Sequence, residues 1–175
     1  MEGEHLTTTQ ARPSGSMTSL TLPWDASRTT PLGASPDDAE RIARDHGVKF
    51  VDEDFKILAV DGGLPDGADA AWLIPSTSNH YTAATRFRWE DFIHDEQEVL
   101  LIRISRRGLS GHESIVALIG HEMYEVCRLS EYFETNETIQ GVKLKGLVDP
   151  ATANNWHWFA WGYADGLVRG MRGSP

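Results

Sequence analysis

The chain has 175 residues, 40% of them hydrophobic, which suits one globular domain with a core of ordinary size. A formal net charge of −10 argues against a nucleic-acid surface, which needs a basic stripe, and against attraction to anionic lipid, so neutral or positively charged partners fit better. The single cysteine, Cys127, rules out an intrachain disulfide framework, and no run approaches the ~18 apolar residues of a membrane span.

Residues 1–35 are rich in Thr, Ser, Pro and Gly and carry too little apolar surface to offset the entropy of ordering them. They read as a disordered tail or linker, with Leu20, Leu22 and Trp24 as a short apolar exception able to dock on the domain. No basic stretch followed by an apolar core opens the chain, so no export signal is expected and a cytoplasmic location is.

The domain proper is expected over residues 36–172. Ser35-Pro36-Asp37-Asp38 opens a helix with a capping Ser, Pro at the first helical position and acids in the first turn, and Gly47 closes it. Its apolar stripe, Ala39, Ile42, Ala43 and His46, is narrow, which makes the helix peripheral and His46 a surface residue. Residues 56–60, 71–74 and 98–104 are short Val-, Ile- and Leu-rich runs bounded by turn formers, and they predict strands. The first two are joined by a Gly- and Asp-rich loop, and Leu100, Ile102 and Ile104 share one face of the third. His80 and His94 fall in loop or helix-end positions.

Ser110 with Glu113 matches a capping box and starts a long central helix, in which Ile115, Val116, Leu118, Ile119, Met123, Val126 and Leu129 recur at spacings of three and four. With His121 set at zero and ~100° per residue, the apolar side chains fill an arc from roughly 60° to 240°. Glu122 lies inside that arc, and His121 and Glu125 lie at its edge, one turn apart. A carboxylate on a core-facing stripe is costly unless it is paired or neutralised. Glu122 therefore either meets a backbone donor or an Arg, or belongs to a site. Cys127 points to the apolar side and reads as a buried, inert thiol rather than a nucleophile. His112 is too far along the helix to share an ion with His121.

Glu131 and Glu134 read as solvated acids near the helix end. Residues 135–146 predict a turn and short hairpin carrying Ile139, Val142 and Leu144. Over residues 149–171 a second helix is expected, opened by Asp149-Pro150 or Thr152. His157 sits mid-way across its packing face with Trp161, Ala164, Val168 and Met171, and Asp165 sits at the border. In isolation His157 is a satisfied core histidine, and Trp156, Trp158 and Trp161 are packing anchors.

His121-Glu122-x-x-Glu125 resembles the zincin metallopeptidase motif H-E-x-x-H, with Glu125 where the second His stands. The resemblance implies an α+β fold in which a small sheet backs the site helix and a C-terminal helix crosses it. It implies zinc held by His121 and Glu125, with Glu122 as the general base on metal-bound water. A third ligand comes from a downstream helix in such families, and His157 or Asp165 fits that place. His157 is the expected ligand, and Asp165 the residue that orients His157 or His121. The pairing of His-Glu-Met-x-Glu with a later His-x-x-x-Trp-x-x-Ala-Asp is also similar, over residues 98–172, to metallopeptidase-like domains at the C-terminal ends of bacterial polymorphic toxins. That likeness implies delivery by a secretion system and a protein or peptide substrate. Glutamate at the second ligand position departs from the motif and lowers the positive charge felt by the water, and mixed N and O donors also accept iron or manganese. The competing expectation is a non-catalytic protein-binding module of immunity or adaptor type, in which the same residues form a structural metal site or a buried polar network.

Overall fold

In the computed structural model, residues 4–9, 33–61, 64, 67–75, 84–93, 99–148 and 155–173 are described. Their elements run β1 (Glu4–Thr9), α1 (Pro36–Asp45), β2 (Phe55–Val60), β3 (Ala70–Pro75), β4 (Arg86–Phe87), β5 (Leu100–Ser105), α2 (His112–Thr135), β6 (Ile139–Gln140), α3 (Gly141–Val148) and α4 (Trp156–Met171). The architecture is α+β. A mixed sheet in the order β1-β3-β5-β2 carries the main core, and β4 and β6 form a separate two-stranded ribbon.

β5 pairs parallel with β2, Ile102 opposite Ile57, and antiparallel with β3, Ile102 opposite Trp72. A strand flanked on both sides must satisfy its apolar side chains by burial, and β5 is buried along nearly its whole length. Ile57, Ala70, Trp72, Leu100, Ile102 and Ile104 belong to one continuous core with Ile115, Leu118, Ile119, Met123 and Val126 of α2. The three strands expected from residues 56–60, 71–74 and 98–104 are thus present. Residues 4–9, which composition placed in a tail, instead run antiparallel to β3 as β1. His5 to Thr9 alternates little in hydrophobicity, so backbone pairing rather than side-chain pattern defines this edge. Leu20, Leu22, Trp24, His80 and His94 lie outside the described residues.

α1 begins as expected, with Ser35 Oγ accepting from Asp38 N at 3.1 Å. Gly47, at φ 95°, takes the left-handed conformation just beyond it that a side chain would resist. The start of α2 differs from the capping box. Gly111 is the N-cap, Ser110 Oγ donates back to the Arg107 carbonyl, and Glu113 turns away to accept from Arg172 Nε at 2.9 Å and Arg172 Nη2 at 2.8 Å. A guanidinium offering a charged, bidentate partner outcompetes the neutral backbone donors that the motif would have satisfied.

The turn feeding α2 is fixed by Asp69, buried at the end of the loop before β3. Asp69 accepts from Ser105 Oγ at 2.9 Å and from Arg107 Nε at 2.9 Å and Nη2 at 2.8 Å, and Ser105 Oγ in turn accepts from Gly108 N at 2.9 Å. At Gly108 the chain runs so close to the core that an added Cβ would lie 2.7 Å from a Leu118 methyl and 2.9 Å from Ile104.

The hairpin expected over residues 135–146 does not form. Ile139–Gln140 pairs instead with the distant Arg86–Phe87, and the next eight residues are helical as α3. Leu144 and Val148, four apart, bury on one face of that helix, a spacing that a hairpin reading assigns to strands. The C-terminal helix starts later than expected, at Trp156, where Asn155 Oδ1 accepts from Trp158 N at 3.2 Å. Asp149, Pro150 and Thr152 lie outside the described residues. α4 packs along α2, and the two helices are joined at one end by the Arg172–Glu113 pair. Among the described residues no helix is long and apolar enough to cross a membrane.

Candidate metal centre

α2 is buried on nearly every side from Glu113 to Met123, sheet on one flank and α1 and α4 on others. Such a helix is normally apolar all round. His121, Glu122 and Glu125 are each fully buried in it, and His157 of α4 is 3% exposed. His121 and Glu125 stand one turn apart on the seam facing α4, as the helical wheel predicts, and His157 in the first turn of α4 is laid against them.

The three side chains converge. His121 Nε2 lies 2.7 Å and His157 Nδ1 3.5 Å from the same oxygen, Glu125 Oε1, and one donor atom from each residue falls within 4.8 Å of the other two. The imidazoles meet edge to face with centroids 4.8 Å apart. None of His121 Nε2, Glu125 Oε1 and His157 Nδ1 has a partner in hydrogen-bond geometry, although all are shut off from solvent. Close approach without alignment is unusual for buried polar atoms, which nearly always find a partner. Three donor atoms gathered this closely could hold one metal ion.

Ligand bonds of ~2.0–2.2 Å at tetrahedral angles place donor atoms roughly 3.4 Å apart. The separations of 2.7 and 3.5 Å straddle that value, and the 4.8 Å limit leaves up to roughly 1.4 Å to close between the donors on binding. The donor set fits a divalent transition metal: two imidazole nitrogens and one carboxylate oxygen suit zinc, iron or manganese better than calcium, which takes about six to eight oxygens.

Electrostatics point the same way. Burial lowers the basicity of His121, and Glu125 only partly opposes this. Burial alone would raise Glu125, but the neighbouring His121 and His157 hold it down to about 2. Glu122 is raised well above the ordinary carboxylate range, first by burial and then by the charge on Glu125. The centre therefore sets a carboxyl held low, Glu125, beside one pushed high, Glu122, and beside a His121 whose basicity burial weakens.

Two indoles frame it. Trp72, fully buried on β3, donates Nε1–H toward Glu125 Oε2 at 3.5 Å, and Trp161 donates Nε1–H to His157 Nε2 at 3.3 Å while its ring lies 4.3 Å from that of His121. Trp161, four residues after His157, was legible as a neighbour on one helix face. Nothing local in the sequence signals Trp72, because 53 residues separate it from Glu125 and only sheet-to-helix packing brings them together.

Asp165 makes no hydrogen bond to either imidazole. Its Oδ2 pairs with Arg169 Nε at 2.9 Å and its Oδ1 is buried without a hydrogen-bond partner. Eight residues of helix, about 12 Å of rise, separate it from His157, and it makes no hydrogen bond to His121, whose ring nitrogens have no aligned partner. Tyr124 and Arg128 lie off the centre, bonded to each other at 3.3 Å, with Arg128 also on Glu131. Cys127 is half-buried and its thiol is pushed up to about 11 by burial, in keeping with an inert thiol. His46 and His112 are exposed neighbours, their rings 6.4 Å apart.

No protein-family model, no curated protein and no solved structure matches the chain.

Proposed function

We propose that the chain is a zincin-like, metal-dependent hydrolase of peptide bonds, with zinc held by His121 Nε2, Glu125 Oε1 and His157 Nδ1. One observation carries the reading: three buried donor atoms from two helices lie within 4.8 Å of one another, none with an aligned hydrogen-bond partner, and Glu122, next to His121, is a buried carboxyl without one as well. Zinc bound there would supply Lewis acidity toward a carbonyl and a lowered pKa for its water. Glu122 would then accept a proton on a carboxylate oxygen and deliver it to the leaving amine. A nearby divalent charge favours the ionised form of Glu122, which burial alone disfavours, so its basicity is tied to loading of the centre. The likeness to terminal domains of bacterial toxins extends the proposal to a protein or peptide substrate and to delivery by a secretion system.

A second reading has its own support. All three donor residues are at most 3% exposed, and Trp161 Nε1–H occupies His157 Nε2. A neutral imidazole that accepts on Nε2 carries its proton on Nδ1, facing Glu125. That is the pattern of a buried polar network in a non-catalytic binding module.

Metal analysis of the purified chain, followed by incubation with a mixed peptide library read by mass spectrometry, separates the two. The hydrolase reading expects about one zinc per chain and cleavage that Glu122→Gln abolishes while zinc stays bound. Metal-free protein whose unfolding is indifferent to chelator and to added zinc would instead establish the polar network.

A further inference from the structure

We infer that Trp72 is a positioning residue of the metal centre, its indole N–H holding one oxygen of Glu125 so that the other alone faces the metal. The inference rests on the metal reading above. Of the two Glu125 oxygens, Oε1 is the one that His121 Nε2 and His157 Nδ1 approach, and it has no aligned donor. Oε2 is occupied by Trp72 Nε1 at 3.5 Å. The carboxylate is thereby divided, one oxygen free for a cation and one engaged by a neutral donor.

Trp72 is well placed for this. It is fully buried, stands opposite Ile102 in the β3–β5 pairing and packs with its ring tilted against Phe92, centroids 6.0 Å apart, so contacts outside the site hold it. Glu125 is therefore held between a helix and a rigid strand. Outer partners that orient ligating side chains change metal affinity by about ten- to a hundredfold when removed. A donor on the second oxygen also opposes two-oxygen chelation, because bending Oε2 toward the metal would break its hydrogen bond. Trp72 thus favours one-oxygen ligation and a low coordination number.

The test uses cobalt(II), whose visible d–d absorption is intense in four-coordinate and weak in higher-coordinate sites. The unaltered chain, Trp72→Phe and a variant with β-(3-benzothienyl)alanine at position 72 are titrated with cobalt(II). The benzothienyl side chain keeps the size and shape of indole but replaces N–H by sulfur, which covers the case in which Trp72→Phe fails to fold. The expected result is about ten- to a hundredfold weaker binding in the variants, with a weakened visible band as Glu125 chelates through both oxygens. Loss of packing alone would lower the unfolding midpoint in chelator but leave the band intensity per bound cobalt unchanged. Equal affinity and an unaltered band in the benzothienyl variant overturn the role given to Trp72 while leaving the metal reading in place. Failure of the unaltered chain to bind cobalt overturns both.

Discussion

Replacing Arg172 by Ala is expected to destabilise the chain by about 2–3 kcal/mol, because it strips the charged partner from a buried carboxylate at the junction of the two site helices. The Glu113 side chain is 2% exposed and Arg172 30% exposed, with Arg172 Nε at 2.9 and 3.1 Å and Nη2 at 2.8 Å from the carboxylate oxygens. Breaking a fully buried pair costs about 3–5 kcal/mol. Two features reduce that here. Water reaches the guanidinium side, and Glu113 lies in the first turn of α2, where the helix dipole favours its charge by ~0.3–1 kcal/mol. For a chain of this length about 2–3 kcal/mol corresponds to a fall in Tm of roughly 5–10 °C. Urea unfolding in chelator, by linear extrapolation at unchanged slope, measures it without any contribution from metal. A cycle with Glu113→Gln and the double variant isolates the coupling, expected at about 2 kcal/mol. A loss under ~0.5 kcal/mol for Arg172→Ala would place the pair among surface ion pairs and refute the argument that it clamps α4 to α2.

Four further substitutions test other parts of the argument. In metal-free protein Glu122 keeps a proton that the unfolded chain releases near 4.5, so stability should fall as pH rises above that value, through the raised folded pKa. Glu122→Gln removes this dependence. Its unfolding midpoint relative to the parent should rise from pH 5 to pH 8, and parallel profiles would contradict the burial argument. Trp161→Phe frees His157 Nε2 to carry the ring proton, leaving Nδ1 bare, and is expected to tighten zinc binding in competition with a chromophoric chelator; weaker binding would mean that the indole supports the liganded state. Gly166, exposed in mid-α4 with no atom near a built Cβ, should stabilise by about 0.5–1 kcal/mol as Ala, whereas Gly108→Ala should cost about 1–3 kcal/mol through overpacking. Chemical denaturation of both in parallel checks the contrast, and equal effects would refute it.

What the sequence revealed divides by range of interaction. α1, the three central strands and the long α2 follow from capping, turn formers and periodicity, all of which act within a few residues. His121 and Glu125 were placed on one seam by helical spacing, and His157 by its position on the packing face of a second helix. The misreadings arise where a distant partner overrides a local rule. Glu113 leaves the capping box for Arg172, 59 residues away, and Ile139–Gln140 finds Arg86–Phe87 instead of a neighbouring strand. Asp165 illustrates the reverse: its position on the helical wheel was right, but its carboxylate pairs with Arg169, one turn further on, and bonds neither imidazole. Trp72 shows the limit most clearly, since its contact with Glu125 depends on how a strand and a helix stack and on nothing in either segment alone.

The charge state of the centre decides between its two readings more sharply than its shape. An ionised carboxylate removed from water carries a penalty of several kcal/mol, which a stable apo network must offset with aligned donors. Here Glu125 has one long indole contact on Oε2, and on Oε1 two imidazole nitrogens that are near but misaligned. A network shaped to persist without an ion would gain by turning either ring a little to complete a hydrogen bond. The backbone imposes no obstacle to such a turn at His121 or His157, both within regular helix. Three donor atoms gathered within 4.8 Å of one another are what a cation at the centre would use. Added zinc should therefore raise the unfolding midpoint by more than it does in a chain carrying His157→Phe, where the same carboxylate lacks one of its three converging donors.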